Sequence, residues 1–184
     1  MTDLDFKPEQ RKVILVPYDP TWRKLAQQEA ERLKDALSID VLEVHHIGST
    51  AIPGIKAKPI LDFVLVVRNL EELDRHTDEM ESLGYVAKGE RGIPGRRFFS
   101  KDTNGTRSHH VHVFQENNSE IERHLIFRDY LLAHDDDAKK YEKLKEKLAA
   151  RFPNRSGDYT EAKSDFIYKI VEKARRWKKQ EQSL

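Results

Sequence analysis

Asp62 interrupts an eight-residue apolar run, ILDFVLVV at residues 60–67, that follows directly on Pro59. A run so rich in Val, Leu and Ile reads as a strand covered on both faces. A carboxylate inside it is costly to desolvate unless a cation, a metal or several donors meet it. Asp62 therefore marks either a functional site or a strong structural pair. About a dozen residues upstream, Gly48-Ser49 ends a shorter apolar strand. A Gly-Ser there frees backbone N–H groups and a hydroxyl to approach a phosphate, provided a helical turn or nest follows. Further along, SHHVHVF at residues 108–114 alternates as a strand, which puts His110 and His112 on one face. Paired imidazoles ligate a divalent metal, donate to phosphate, or act as half-buried hydrogen-bonding groups.

Cations supply the second half of this chemistry. Arg96 and Arg97 sit between a Gly- and Pro-rich loop and a strand near residues 97–101. There they either cover a bound phosphate or remain solvated surface charges. In the C-terminal part, Arg128 lies on the helical stripe of Ile121, Leu125 and Leu132. Lys145 lies on that of Tyr141, Leu148 and Phe152, and Lys163 on that of Tyr159, Phe166, Ile167 and Ile170. A snorkelling stem or a buried salt bridge explains any one of them, with Asp129 a local partner for Arg128. Three together point to a basic cleft where helices meet the sheet.

The stretch at 46–67, with Ala57-Lys58-Pro59 before the aspartate, closely resembles the GrpB family, a branch of the nucleotidyltransferase superfamily also found fused to some bacterial dephospho-CoA kinases. PYDPTW at 17–22, HHVHV at 109–113, FRDYL at 127–131, Leu144-Lys145 and YTEAK at 159–163 resemble the family's other blocks, in order, over nearly the full chain. The resemblance implies an α/β fold with a mixed sheet flanked by helices and a C-terminal helical segment. It also implies a site that binds a nucleotide or phosphorylated small molecule and carries out metal-dependent nucleotidyl or phosphoryl transfer, and it leaves room for a dephospho-CoA kinase-like partner. In that reading Gly48 and Ser49 contact phosphate. Lys58, Arg97, Arg128, Lys145 and Lys163 neutralise it, and Asp62 anchors a divalent metal, Mg²⁺ or Mn²⁺. The superfamily pattern has a second carboxylate two positions on, and here that position is Val64. His110 and His112 are the expected replacement, which would admit Zn²⁺ as well. The missing carboxylate equally suits a non-catalytic nucleotide-binding or partner module.

Length and composition bound these readings. At 184 residues the chain suits one domain, with residues 1–11 a polar arm, 12–115 an α/β sheet core and 118–184 a three-helix segment. The formal net charge is +1 although 35% of residues are charged, which argues against nucleic acid as the partner and confines any phosphate affinity to a local patch. The absence of cysteine excludes disulfides, thiolate catalysis and cysteine-based zinc sites. No signal-peptide core or membrane-length apolar run is read, so a cytoplasmic protein without membrane contact is expected.

The elements that must position these residues follow from periodicity. Residues 12–17 read as a first strand, and Asp19-Pro20 opens a helix with Trp22, Leu25, Ala26, Leu33 and Leu37 inward. Tyr18 and Trp22 are assigned to the core. Residues 41–47 and 60–67 form the central strands, and Asn69 caps one helix that ends before Gly84. Asn104-Gly105 turns a hairpin into residues 106–115. Ser119 with Glu122 opens a helix to about Ala133, Asp135 a second to about Phe152, and Asp158 or Thr160 a third to the end of the chain.

Overall fold

The computed structural model describes residues 10–182, so most of the polar arm read at 1–11 and the last two residues lie outside the description. Five strands, β1 (Val41–Ile47), β2 (Leu61–Val67), β3 (Tyr85–Ala87), β4 (Arg96–Thr103) and β5 (Thr106–Gln115), form one sheet in the order β1-β2-β5-β4-β3. β2 runs parallel to β5 and every other pairing is antiparallel, a mixed sheet as expected. The β4–β5 hairpin turns on Asn104 and Gly105, both at positive φ (52° and 74°), as a tight two-residue turn demands.

Helices cover both faces. On one, α1 (Thr21–Ala36), α2 (Leu70–Arg75) and α3 (Thr77–Ser82) bury Trp22, Leu33, Leu73 and Met80 against Phe63, Leu65, Val111 and Val113. On the other, α4 (Ser119–Ala133) brings Ile121 and Leu125 onto Ile47, Val64, Val66 and Phe114. β2 thus meets apolar side chains on both sides, which is why its sequence is nearly continuous hydrophobe rather than alternating. Behind α4 lie α5 (Asp135–Arg151), α6 (Ser156–Glu161) and α7 (Ser164–Glu181). Ile52 and Ile55 of the β1–β2 loop insert into the core that α4, α5 and α7 share, pinning that loop between sheet and helices.

Several local expectations are corrected. Residues 12–17 are not a sheet strand. They form an extended strap held by a single bridge, Val16 to Ala57, and by Val13 N–H donating to the Pro153 carbonyl at 2.8 Å. Asn69 does cap, accepting from Glu71 and Glu72 N–H, but the helix it opens breaks at His76 into α2 and α3. Asn118, not Ser119, caps α4. The last helix is split at Ala162–Lys163, giving four C-terminal helices instead of three. Leu25 and Leu132 point to solvent, each 47% exposed, while Trp22 is buried and packs edge-to-face on Tyr18. Among the described residues no helix is long and apolar enough to cross a membrane.

Candidate functional site

β-sheet register brings the first two predicted residues together. Asp62 at the start of β2 lies directly beside His110 of β5, with Ile47 of β1 and Ser100 of β4 completing the row. Gly48 leaves β1 at φ 72° and ψ −171°, a conformation essentially closed to other residues. It also lets the carboxylate lie flush against the backbone: a Cβ there would stand 2.7 Å from Asp62 Oδ2. A 3₁₀ turn over Ser49–Ala51 follows, as the phosphate reading requires, and Ser49 sits beside the Tyr141 hydroxyl of α5.

The other carboxylate oxygen is engaged. His110 Nδ1 lies 2.8 Å from Asp62 Oδ1, and its Nε2 lies 3.3 Å from a guanidinium nitrogen of Arg107. A guanidinium only donates, so Nε2 accepts and the imidazole proton rests on Nδ1, aimed at Asp62. Burial pushes the Asp62 carboxyl up, but the His110 hydrogen bond and the positive fields of Lys58 and Lys163 help to outweigh it and hold it below the usual range. His110 is itself pushed down, by burial against the opposing pull of Asp62. The pair is therefore an anionic carboxylate and a neutral imidazole, with Asp62 still 28% exposed to the cleft.

Three of the predicted cations gather here, Lys58 and Lys163 in the field of this carboxylate and Lys145 in the field of those two lysines and of Glu142 and Glu146. Lys58 comes from the pinned loop and Lys163 from the break between α6 and α7. Both ammonium groups ride on the buried Tyr159 ring, 5.2 and 4.6 Å from its centroid. Lys145 of α5 is 1% exposed, lies over Tyr141 at 4.9 Å and donates to the Lys56 carbonyl. Burial drives all three pKa values down, to about 8, about 7 and about 8 for Lys58, Lys145 and Lys163. Lys163 lowers the other two further, and Asp62 partly offsets the effect at Lys58 and Lys163. Arg128 stands at the rim, paired with Asp129 at 2.7 Å and donating to the His46 carbonyl at 3.0 Å, two residues before Gly48.

Two predicted members are elsewhere. Arg97 points to the opposite face of the sheet, where both arms of its guanidinium hold Asp74 of α2 at 2.7 Å. Strand alternation gives the site's face to Arg96, whose guanidinium donates to the Glu90 and Arg91 carbonyls and to His112 Nδ1. His112 is accordingly not a companion of His110 at an open site. It is packed between Phe98 and His124, and burial pushes its pKa well down.

Tested as a metal centre, this donor set does not fit a divalent ion. Val64 is buried in apolar contacts, both His110 nitrogens are engaged, and His112 accepts from an arginine. Among the described residues no three His, Asp or Glu side chains converge on a common point. The second oxygen of Asp62, Oδ2, lies in the field of Lys58 and Lys163.

Arg107, Tyr141 and Tyr159 were missed by sequence reasoning. For Arg107 the reason is a β-bulge: Lys101 pairs with His109 but Asp102 pairs with Arg107, so Ser108 is an extra residue and parity shifts. An odd-numbered side chain thereby joins the even-numbered face of His110. The tyrosines read as helical core, which they also are. Two shallow hollows open elsewhere on the surface, beside Ser119 and Lys178 and beside Asp136 and Lys173, and neither touches Asp62.

The sequence matches the family described as GrpB protein over residues 12–173, a span that includes every residue of the cleft. The chain belongs to the GrpB family. It is 45% identical over 169 residues to the UPF0157 protein YqkA of Bacillus subtilis, covering 92% of this chain and 49% of YqkA, so it spans about half the length of that relative. The crystal structure of conserved protein GrpB from Enterococcus faecalis superposes with a TM-score of 0.82 at 40% identity, covering 89% of this chain and 99% of that one. A shorter similarity, 40% over 76 residues, reaches a dephospho-CoA kinase of Mycolicibacterium paratuberculosis and covers 40% of this chain and 19% of the kinase. The GrpB fold is similar to a nucleotidyltransferase, the Cid1 poly(U) polymerase in its MgGTP complex. The TM-score is 0.50 at 17% identity, over 73% of this chain and 44% of Cid1.

Proposed function

We propose that this GrpB chain binds a nucleotide or other phosphorylated small molecule in the cleft lined by Gly48, Ser49, Lys58, Asp62, Lys145 and Lys163. The observation that carries this reading is an imbalance of charge: the poorly solvated Lys58 and Lys163 share the single carboxylate of Asp62, which already accepts a hydrogen bond from His110, and the buried Lys145 beside them, met in part by Glu142 and Glu146, adds to the positive field. Burying like charges together costs stability, and such arrangements cluster at functional sites. A phosphate-bearing ligand would supply the missing counter-charge. Phosphate esters suit it because lysine ammonium groups act as point charges that bind them readily. The Gly48-Ser49 turn offers backbone and hydroxyl beside the same carboxylate, and Arg128 extends the positive rim.

Val64 in place of a second carboxylate favours a binding role without turnover over nucleotidyl or phosphoryl transfer. If transfer does occur, Asp62 is the one carboxylate available to accept a proton from an attacking hydroxyl. The partial similarity to dephospho-CoA kinase puts coenzyme A precursors among the ligands to test, and a kinase of that type among the candidate partners. A thermal-shift series of nucleotides, inorganic pyrophosphate and coenzyme A precursors on the wild type and on Lys163→Met tests the reading. A melting temperature that rises with ligand concentration in the wild type, and less in the variant, supports it. Absence of any shift across the series contradicts it.

A further inference from the structure

We propose that the cleft takes its phosphate ligand as the free polyanion, without a divalent cation, with the ammonium groups of Lys58, Lys145 and Lys163 providing the charge that metal ions provide elsewhere. This rests on the phosphate-binding reading above. The donor set carries the first step. Magnesium sites use one or two carboxylates together with substrate phosphates, in near-octahedral oxygen coordination. Here Asp62 contributes one unengaged oxygen, Oδ2, while Oδ1 accepts from His110. Neither histidine makes up the deficit, because Arg107 donates to His110 and Arg96 to His112.

The second step is electrostatic. A dication at Oδ2 would share the one carboxylate with Lys58 and Lys163, both of which already gain from its field. Lys145, on which each of those ammoniums already acts unfavourably and which Glu142 and Glu146 only partly offset, adds further positive charge to the cleft. Like charge in a poorly solvated cleft opposes metal entry. A phosphate chain acts in the opposite sense, since it stabilises the charged form of every lysine around it. Chelation by Mg²⁺ would cancel part of the ligand charge that the lysines are placed to meet.

The two modes differ in proton balance. Near pH 8 the three lysines are partly neutral in the free protein, so a polyanion that restores their charge takes up protons on binding. A metal-centred site built on the already ionised Asp62 gives no such uptake. The test is calorimetric titration of inorganic pyrophosphate at pH 8, in EDTA and in excess Mg²⁺, in two buffers of different ionisation enthalpy. The expected result is affinity at least tenfold tighter in EDTA, with net proton uptake there. Affinity that is unchanged or stronger in Mg²⁺, or binding in EDTA without proton uptake, overturns the inference while leaving phosphate binding intact. No binding under either condition overturns the underlying phosphate reading instead.

Discussion

Replacing Lys145 by methionine should make the protein more stable and a worse phosphate binder. Lys145 is 1% exposed, and burial together with Lys163 brings its pKa from 10.5 to about 7. By linkage, that displacement withholds roughly 5 kcal/mol from the folded state when the lysine is charged. Methionine keeps the stem and removes the charge, but it strands the Lys56 carbonyl that Nζ now meets, a loss of about 1–3 kcal/mol. The net gain at pH 6 to 7 is roughly 2–4 kcal/mol, or about 4–16 °C in melting temperature for a chain of this size. The sign with pH follows. Because the folded pKa lies below the unfolded value, the penalty is fully present below about pH 7. It is relieved as pH rises toward 10.5, so the advantage of the variant should shrink between pH 7 and 10. Urea unfolding of both proteins at pH 6, 8 and 10 measures this, and a pyrophosphate titration at pH 7 should show at least a tenfold loss. A variant less stable at pH 6, or a stability difference that ignores pH, would refute the reasoning.

Other consequences are as direct. Gly48→Ala forces an alanine into a conformation essentially reserved for glycine and places a methyl 2.7 Å from Asp62 Oδ2. Chemical denaturation should show a loss of at least about 1–3 kcal/mol, and pyrophosphate affinity should fall with it. Arg97→Gln removes the partly exposed pair with Asp74 on the far face, with a longer contact to Glu90 and a donation to the Arg96 carbonyl. It should cost about 1 kcal/mol or less in unfolding free energy and leave ligand affinity within about twofold. Wild-type affinity for pyrophosphate, measured from pH 6.5 to 9.5, should weaken as Lys145, Lys58 and Lys163 lose their protons in the range about 7 to 8. Burial pushes the His110 pKa below its usual range, away from this window, so an affinity that instead rises with pH would point to metal or carboxylate control.

The sequence carried the sheet and the carboxylate well, because both depend on local patterns. The apolar run around Asp62, the Asn104-Gly105 turn and the helical stripes of α4, α5 and α7 are each written in nearest-neighbour periodicity. So were Lys145 and Lys163, which stood out as cations on apolar stripes and do converge. What failed depends on pairing between distant segments. Arg97 stands in the sequence where a phosphate could be covered, but α2 supplies Asp74 on the other face. His110 and His112 share a face as alternation requires, yet arginines from the hairpin end and from β4 occupy them. Arg107 was hidden by the bulge at Ser108, which no alternation rule anticipates. The strap at residues 12–17 has strand composition, but its main-chain partners are single groups in the β1–β2 loop and after α5.

The central claim is that the lysines around Asp62 form one phosphate-binding cleft. The most direct measurement is calorimetric titration of inorganic pyrophosphate at pH 7 into the wild type, Lys58→Met and Lys163→Met, with melting curves confirming that each variant is folded. The account predicts saturable binding by the wild type and at least a tenfold loss in each folded variant. Equal affinity in all three proteins would contradict it.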